Sequence, residues 1–448
     1  MHISRDIETT IVKQLGSPDE QFILLAGARQ TGKTHILEHL DLAGMDRLII
    51  NLWDETREIQ ALRSAQTLEQ FENYLAAFYQ FRPGQGRVLI IDEAQGSPYL
   101  GKFLMQMHRT WNKQRVILSG SILSNLFSGN VPMPTGRIVE FVLRPLNFRE
   151  FLRFRKKEAY LELLPEPGQP LAVELHPLLL DEYYLYLTIG GMPGLVNSHR
   201  SGGNLLLLFE SLINNYYRDA DRYLADGELV IRTRTVQYGA LLEHCLRAVG
   251  RLVSFPSTNS SILSTDSPSY RVILPKLLDA LRNWHLLQIL PYATAQHTSK
   301  PGYSSKKYLF DTGVMNFLLT RGMPVTATSE SLIRAQLLEN AVCQELIALA
   351  GSDQALTSYR SHNKLASELD FVMRDGRNVI PVEVKAGEHV TSKSLHQMLD
   401  FMQQQKVKLG IVIYTGIPQW RRIEDQEILF LPPYYLHRAV SQIDQLGR

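Results

Sequence analysis

The segment GARQTGKT, Gly27–Thr34, follows a run of branched apolar residues, Phe22–Ala26, and leads into a helical stretch, His35–Leu40. Every fixed position of G-x-x-x-x-G-K-[ST] is filled, in the strand-to-helix context that the motif requires. The glycines let backbone N–H groups turn inward around the β- and γ-phosphates of a nucleotide, and the helix N-terminus adds a field favourable to anions. The candidate nucleotide-binding residues are therefore Gly27, Ala28, Arg29, Gln30, Thr31, Gly32, Lys33 and Thr34. Lys33 supplies a charge to the phosphates and Thr34 a hydroxyl to Mg²⁺, so ATP and magnesium are the expected cofactors.

Further strand-like runs, Arg47–Leu52, Val88–Ile91, Val116–Leu118 and Ile138–Leu143, are mostly separated by helix-like stretches. That order predicts a doubly wound α/β domain with a parallel sheet. VLIIDEA ends with Asp92 and Glu93 at the carboxyl edge of the sheet, where ligands of open α/β sheets bind. Asp92 is expected to hold Mg²⁺ and Glu93 to orient or activate the attacking water. An acidic pair ending a strand can instead cap the next helix, but its place about 60 residues beyond the phosphate loop favours the functional reading. LSGS puts Ser119 or Ser121 at the same edge, Ser119 being preferred as a polar sensor of the γ-phosphate. Arg137 is either an arginine finger for a neighbouring subunit's nucleotide or a plain strand-end arginine.

At 448 residues the chain is too long for a single ordinary core, and its 44% hydrophobic and 21% charged residues are the mix of a globular protein. Its apolar runs fall well short of the ~20 residues that cross a bilayer, and Met1–Leu15 lacks a signal-peptide pattern, so no membrane span and a cytoplasmic location are expected. The cysteines, Cys245 and Cys343, suggest neither disulfides nor a zinc knuckle. The net charge of +2 exerts no global pull on polyanions, which leaves local patches. Arg144, Arg149, Arg153, Arg155, Lys156 and Lys157 form one such cluster, readable as a nucleic-acid contact or as a solvated helix face. The 13 histidines show no H-E-x-x-H or Cys/His spacing, and His35 and His39, one helical turn apart, are read as flanking the nucleotide domain rather than binding metal.

GARQTGKT, VLIIDEAQ, LSGS, the GR before the last strand and RPLNFREF at Arg144–Phe151 occur in the order of a known family. The chain resembles the archaeal and bacterial AAA-type ATPases that couple an N-terminal ATPase to a C-terminal domain similar to PD-(D/E)XK nucleases. GGMPGLV at Gly190–Val196 and KKYLFDTGV at Lys306–Val314 extend the resemblance along most of the chain. Expected boundaries are an AAA-type ATPase domain at 1–157, a helical lid or linker at 158–235, a winged-helix-like domain at 236–325 and a nuclease-like domain at 326–448. Structural roles are assigned to the helices Leu178–Leu187 and Leu205–Tyr217, with GGMPG as a turn between them. The winged helix would place Tyr270–Trp284 either in a DNA groove or against protein, since that helix carries few cations.

After Arg321 the predicted order is a long helix (Ser329–Ala350), strands at Leu356–Arg360, Leu369–Met373 and Val379–Val384, a helix (Lys393–Phe401) and a strand (Leu409–Tyr414), with a hairpin at Asp375-Gly376. On the resemblance to the nuclease core, Asp370, Glu383 and Lys385 match the catalytic strand residues and Glu339 the acidic residue of the first helix. Glu339, Asp370 and Glu383 would gather Mg²⁺ and Lys385 would hold or deprotonate its water. The alternation around Glu383 and Lys385 is also that of an ordinary half-buried strand. Two functions therefore compete: an ATPase that remodels, loads or translocates DNA or RNA, and a nucleotide-gated switch, in regulation or phage defence, whose nuclease-like domain does not cut. A ring of like subunits is left open by the resemblance.

Overall fold

The computed structural model describes residues 2–17, 22–127, 136–226, 278–293, 305–350, 355–360, 368–375 and 378–441. The chain forms two compact units, one of residues 1–144 with 283–285 and one of residues 145–282 with 286–448.

In the first unit, α1 (Asp6–Leu15) precedes β1 (Phe22–Ala26), α2 (Lys33–His39), β2 (Arg47–Asn51), α3 (Arg57–Ser64), α4 (Leu68–Tyr79), β3 (Val88–Asp92), α5 (Leu100–Thr110), β4 (Val116–Gly120) and β5 (Ile138–Val142). The strands form one parallel sheet in the order β2-β3-β4-β1-β5. β3, β4 and β1 are buried throughout, which is why their sequences read as nearly unbroken apolar runs, whereas β2 and β5 at the edges are partly exposed. Strand alternation divides the core: Phe22, Leu24, Leu89 and Ile91 join one cluster, while Ile23, Leu25, Val88 and Ile90 join the other. Thr56 and Thr67 start α3 and α4, each side chain accepting a hydrogen bond from a first-turn N–H.

The second unit begins with α6 (Phe148–Phe154), α7 (Ala159–Glu162), α8 (Leu175–Ile189), α9 (Pro193–Arg200) and α10 (Leu205–Asp226). Next come β6 (Leu287–Leu290), β7 (Tyr292–Ala293), β8 (Lys306–Leu309), α11 (Thr312–Thr320) and α12 (Ser331–Ala350). The rest comprises β9 (Leu356–Arg360), β10 (Glu368–Asp375), β11 (Asn378–Val384), α13 (His396–Gln405), β12 (Leu409–Ile413), β13 (Gln419–Ile423), β14 (Gln426–Leu431) and α14 (Leu436–Ser441). A mixed sheet runs β13-β14-β12-β11-β10-β9-β7, and β6 pairs antiparallel with β8. Met398, Phe401 and Met402 of α13 pack on Leu369, Val372 and Val412 of that sheet, and α12 packs against β10 and β11.

The C-terminal element order matches the expectation, with β13, β14 and α14 as additions; β10 and β11 pair antiparallel up to Asp375 opposite Asn378, while the connecting residues 376 and 377 lie outside the described residues. Most of the expected winged helix also lies outside them; within them, residues 278–283 are helical and β6 and β8 are paired. No described helix is long and apolar enough to cross a membrane. The GGMPG and KKYLFDTGV segments meet: Asp311 caps α11 by accepting from Val314 N at 2.9 Å and also accepts from Gly191 N at 2.7 Å. Burial raises the Asp311 carboxyl to about 6 against the opposing effect of these amides.

Candidate functional site

The phosphate loop leaves β1 at Gly27, where φ is +151° and a Cβ would stand 2.4 Å from the carbonyl oxygen of Leu143. Only glycine allows the end of β5 to approach so closely. Gly32 takes the left-handed conformation that opens α2 (φ 97°). Lys33 is 6% exposed and folds back on the loop, donating to the carbonyls of Gly27 and Ala28 at 2.9 Å each. Burial lowers its pKa to about 8, against the pull of Glu93 and Asp92. Thr31 donates to Ala28 O at 2.9 Å, and the Arg29 guanidinium lies over the Trp53 ring, 4.9 Å from its centroid. Arg5, which carries no local sequence signal, braces the loop by donating to Thr31 O (3.3 Å) and Arg144 O (2.8 Å).

Pairing of β2 with β3 and of β4 with β1 brings the strand ends to one edge. Thr34 Oγ1 donates to Asp92 Oδ2 at 2.6 Å, and Glu93 N donates to Asp92 Oδ1 at 3.0 Å. Glu93 sits in the left-handed region (φ 51°), and its carboxylate accepts from Gln95 Nε2 at 2.5 Å. Burial raises the Glu93 pKa, with Lys33 opposing. Gln95 was missed in the sequence because a glutamine two residues beyond an acidic pair has no signature of its own. Ser119 pairs with Leu25 across β4 and β1, and the buried hydroxyls of Ser119 and Ser121 have no hydrogen-bond partner among the described residues. Arg137 is elsewhere: it precedes β5 at the amino-terminal edge of the sheet, where its carbonyl accepts from Phe22 N. One strand length, about 17 Å at ~3.3 Å per residue, separates it from this chain's own loop.

The donor set fits a magnesium nucleotide. A hydroxyl and a carboxylate already touch beside a buried lysine, and two unsatisfied hydroxyls lie on the intervening strand β4 and just beyond its end.

In the second unit the fold also gathers Glu339, Asp370, Glu383 and Lys385. Asp370 Oδ2 accepts from Val384 N at 3.0 Å, and Lys385 Nζ donates to Glu383 Oε1 at 2.6 Å. Burial and then Asp370 push the Glu383 pKa up. The sequence reading missed Lys306 of β8. Its ammonium, 5% exposed as a residue, donates to Glu339 Oε1 and Asp370 Oδ1, both at 2.9 Å. Tyr308, on the same face of β8, donates to Glu339 Oε1 at 2.6 Å. Burial presses the Lys306 pKa down, but Asp370 and Glu339 outweigh it and hold it above the ordinary lysine value. β8 is clamped to α12, since Asn340 accepts from Leu309 N at 2.7 Å and donates to Leu309 O at 3.1 Å. Glu339 and Asp370 thus each give one oxygen to the Lys306 ammonium and Glu383 one to Lys385, so a divalent ion here would have to displace these contacts.

Three members of the basic cluster are ion-paired within the second unit. Arg153 pairs with Glu158 at 2.6 Å, and Arg155 and Lys157 both pair with Glu182.

Residues 19–152 match the family described as "AAA domain", and residues 334–434 match "Domain of unknown function (DUF4143)". An uncharacterized protein of Haemophilus influenzae is 25% identical over 394 residues, covering 84% of this chain and 87% of its own. The Walker-type ATPase PABY2304 of Pyrococcus abyssi is similar at 15% identity and a TM-score of 0.39, covering 71% of this chain and 96% of its own. That superposition carries no weight for the fold, which rests on the sheet and the family match. Residues 19–152 therefore match an AAA domain and carry a parallel five-stranded sheet with a phosphate loop, an α/β fold of the P-loop type.

Proposed function

We propose that the chain binds ATP with Mg²⁺ and hydrolyses it at the edge of its parallel sheet. The observation that carries this reading is the 2.6 Å contact of Thr34 with Asp92 beside the buried Lys33. Lys33 would exchange the loop carbonyls for phosphate oxygens, while the backbone N–H groups of Gly27–Thr34 cradle the phosphates. Thr34 and Asp92 would hold the magnesium, which supplies charge neutralisation to the transferring phosphoryl group. Glu93, held by Gln95, would orient the attacking water, and Ser119 offers an unsatisfied hydroxyl at the same edge. Arg137 would act only on a neighbouring subunit's nucleotide. ATP turnover by the purified protein, alone and with single-stranded DNA, duplex DNA or RNA, tests this, with Lys33→Ala as the blank. Lys33-dependent turnover is expected; wild-type turnover in Lys33→Ala would sink the assignment.

Lys306 favours the second of the competing functions, a nucleotide-gated switch whose C-terminal domain does not cut. The carboxylates that would gather a metal are instead bridged by a clamped, buried lysine. The pairing of Arg155 and Lys157 with Glu182, which occupies part of the basic cluster, points the same way. Metal-dependent cleavage of DNA or RNA by the wild type, lost in Asp370→Ala, would overturn this reading and restore the nuclease. Severalfold stimulation of turnover by one polymer, without cleavage, would make the C-terminal domain a gripping module.

A further inference from the structure

We propose that His2, His35 and His39 form a binding site for a transition-metal ion of the zinc class, tying the N-terminal segment to the helix that follows the phosphate loop. His35 and His39 lie one turn apart on α2, so their rings rise from the same side, with centroids 4.2 Å apart. The tertiary fold adds His2, whose ring stacks on His39 at 5.0 Å with an interplanar angle of 8°. One nitrogen from each ring lies within 4.8 Å of the others. His2 Nδ1 and His35 Nε2 are 3.4 Å apart, about the edge of a tetrahedron of nitrogens each ~2.0–2.1 Å from a zinc ion.

The remaining ring nitrogens are held as outer contacts of such a site. His2 Nε2 donates to Glu8 Oε2 at 3.1 Å, which turns the Nδ1 lone pair inward. His39 Nδ1 donates to the His35 carbonyl at 2.8 Å, which leaves the Nε2 lone pair for a ligand. A carboxylate or carbonyl on the far nitrogen fixes tautomer and ring orientation in metal-bound histidines. Without an ion, His35 Nε2–H donates to His2 Nδ1; with one, His35 takes its other tautomer and supplies a third lone pair. Three neutral imidazoles suit Zn²⁺, Cu²⁺ or Ni²⁺ rather than Mg²⁺, so this ion differs from the one that Thr34 and Asp92 would take. His35 and His39 are exposed, so the ion can reach them and water can take the fourth position. The site stands whether or not the neighbouring loop hydrolyses ATP.

Calorimetric titration of the full chain with zinc, after chelator treatment and in saturating Mg²⁺, tests the proposal. One zinc per wild-type chain is expected, with Kd raised at least about tenfold in His2→Ala and in His39→Ala and raised to a lesser degree in Glu8→Gln. Asp370→Ala should retain the site, which separates it from the C-terminal carboxylates. Co²⁺ should show a tetrahedral visible spectrum with wild type that is lost in His39→Ala. Zinc affinity unchanged in both alanine variants, or no uptake by folded wild type, overturns the proposal.

Discussion

Two buried ionisable residues set sharp expectations at the scale of the single side chain. Replacing Lys306 with Met leaves Glu339 and Asp370 facing each other without their cation, a loss that typically costs about 3–5 kcal/mol. The unfolding midpoint of Lys306→Met should fall, and millimolar Mn²⁺ should raise it in the variant but not in wild type. A variant as stable as wild type would show that the lysine does not bridge the pair. Asp311 tests the linkage between burial and pH. Its folded pKa of about 6 lies above the ordinary value of 3.8, so between these values the folded chain holds a proton that the unfolded chain has released. Stability therefore declines as pH rises through that window and levels off above it. Relative to Asp311→Asn, the wild type should lose at most about 3 kcal/mol between pH 4 and 6, and melting both proteins across that range reads the slope. Both residues lie in the KKYLFDTGV segment, but the sequence assigned neither a role: Lys306 is one of two adjacent lysines, and Asp311 looks like an ordinary helix cap.

Elements meet where side chains are absent. Gly313 in α11 faces the end of α8, and a Cβ there would lie 2.0 Å from the Ile189 carbonyl oxygen and 2.5 Å from Gly190 N. Both atoms belong to backbone and have little freedom to move, so Gly313→Ala should destabilise the second unit by about 1–3 kcal/mol or more, visible as a lowered denaturation midpoint. The strands of the first unit were legible because central parallel strands bury both faces and so read as apolar runs. β11 was ambiguous, since alternation suits a half-buried strand and a catalytic one equally. Its neighbours resolve the geometry: Glu383 pairs with Lys385 on one face, and Val384 N grips Asp370.

For the whole chain, two units carry two separable sites. Lys33→Ala is expected to abolish ATP turnover, whereas Asp370→Ala should leave it within about twofold, because the phosphate site draws every contact described for it from the first unit. Measuring turnover in both variants, each with and without nucleic acid, checks this. A large loss in Asp370→Ala would mean that the sites are coupled.

The sequence by itself determined the nucleotide loop, the acidic strand end and the order of most elements. Each rests on local chemistry: a turn that needs glycine, a helix N-terminus, a strand that alternates or is apolar throughout. Only the tertiary structure decided that Arg5 braces the loop, that Gln95 holds Glu93, that Arg137 stands at the far edge of its sheet and that Lys306 bridges the C-terminal carboxylates. Lys306 lies 33 and 64 positions from its partners in the chain. Burial is what makes that contact strong, because a charge removed from water must find its counter-charge wherever the fold brings one close, and no local spacing records where that is.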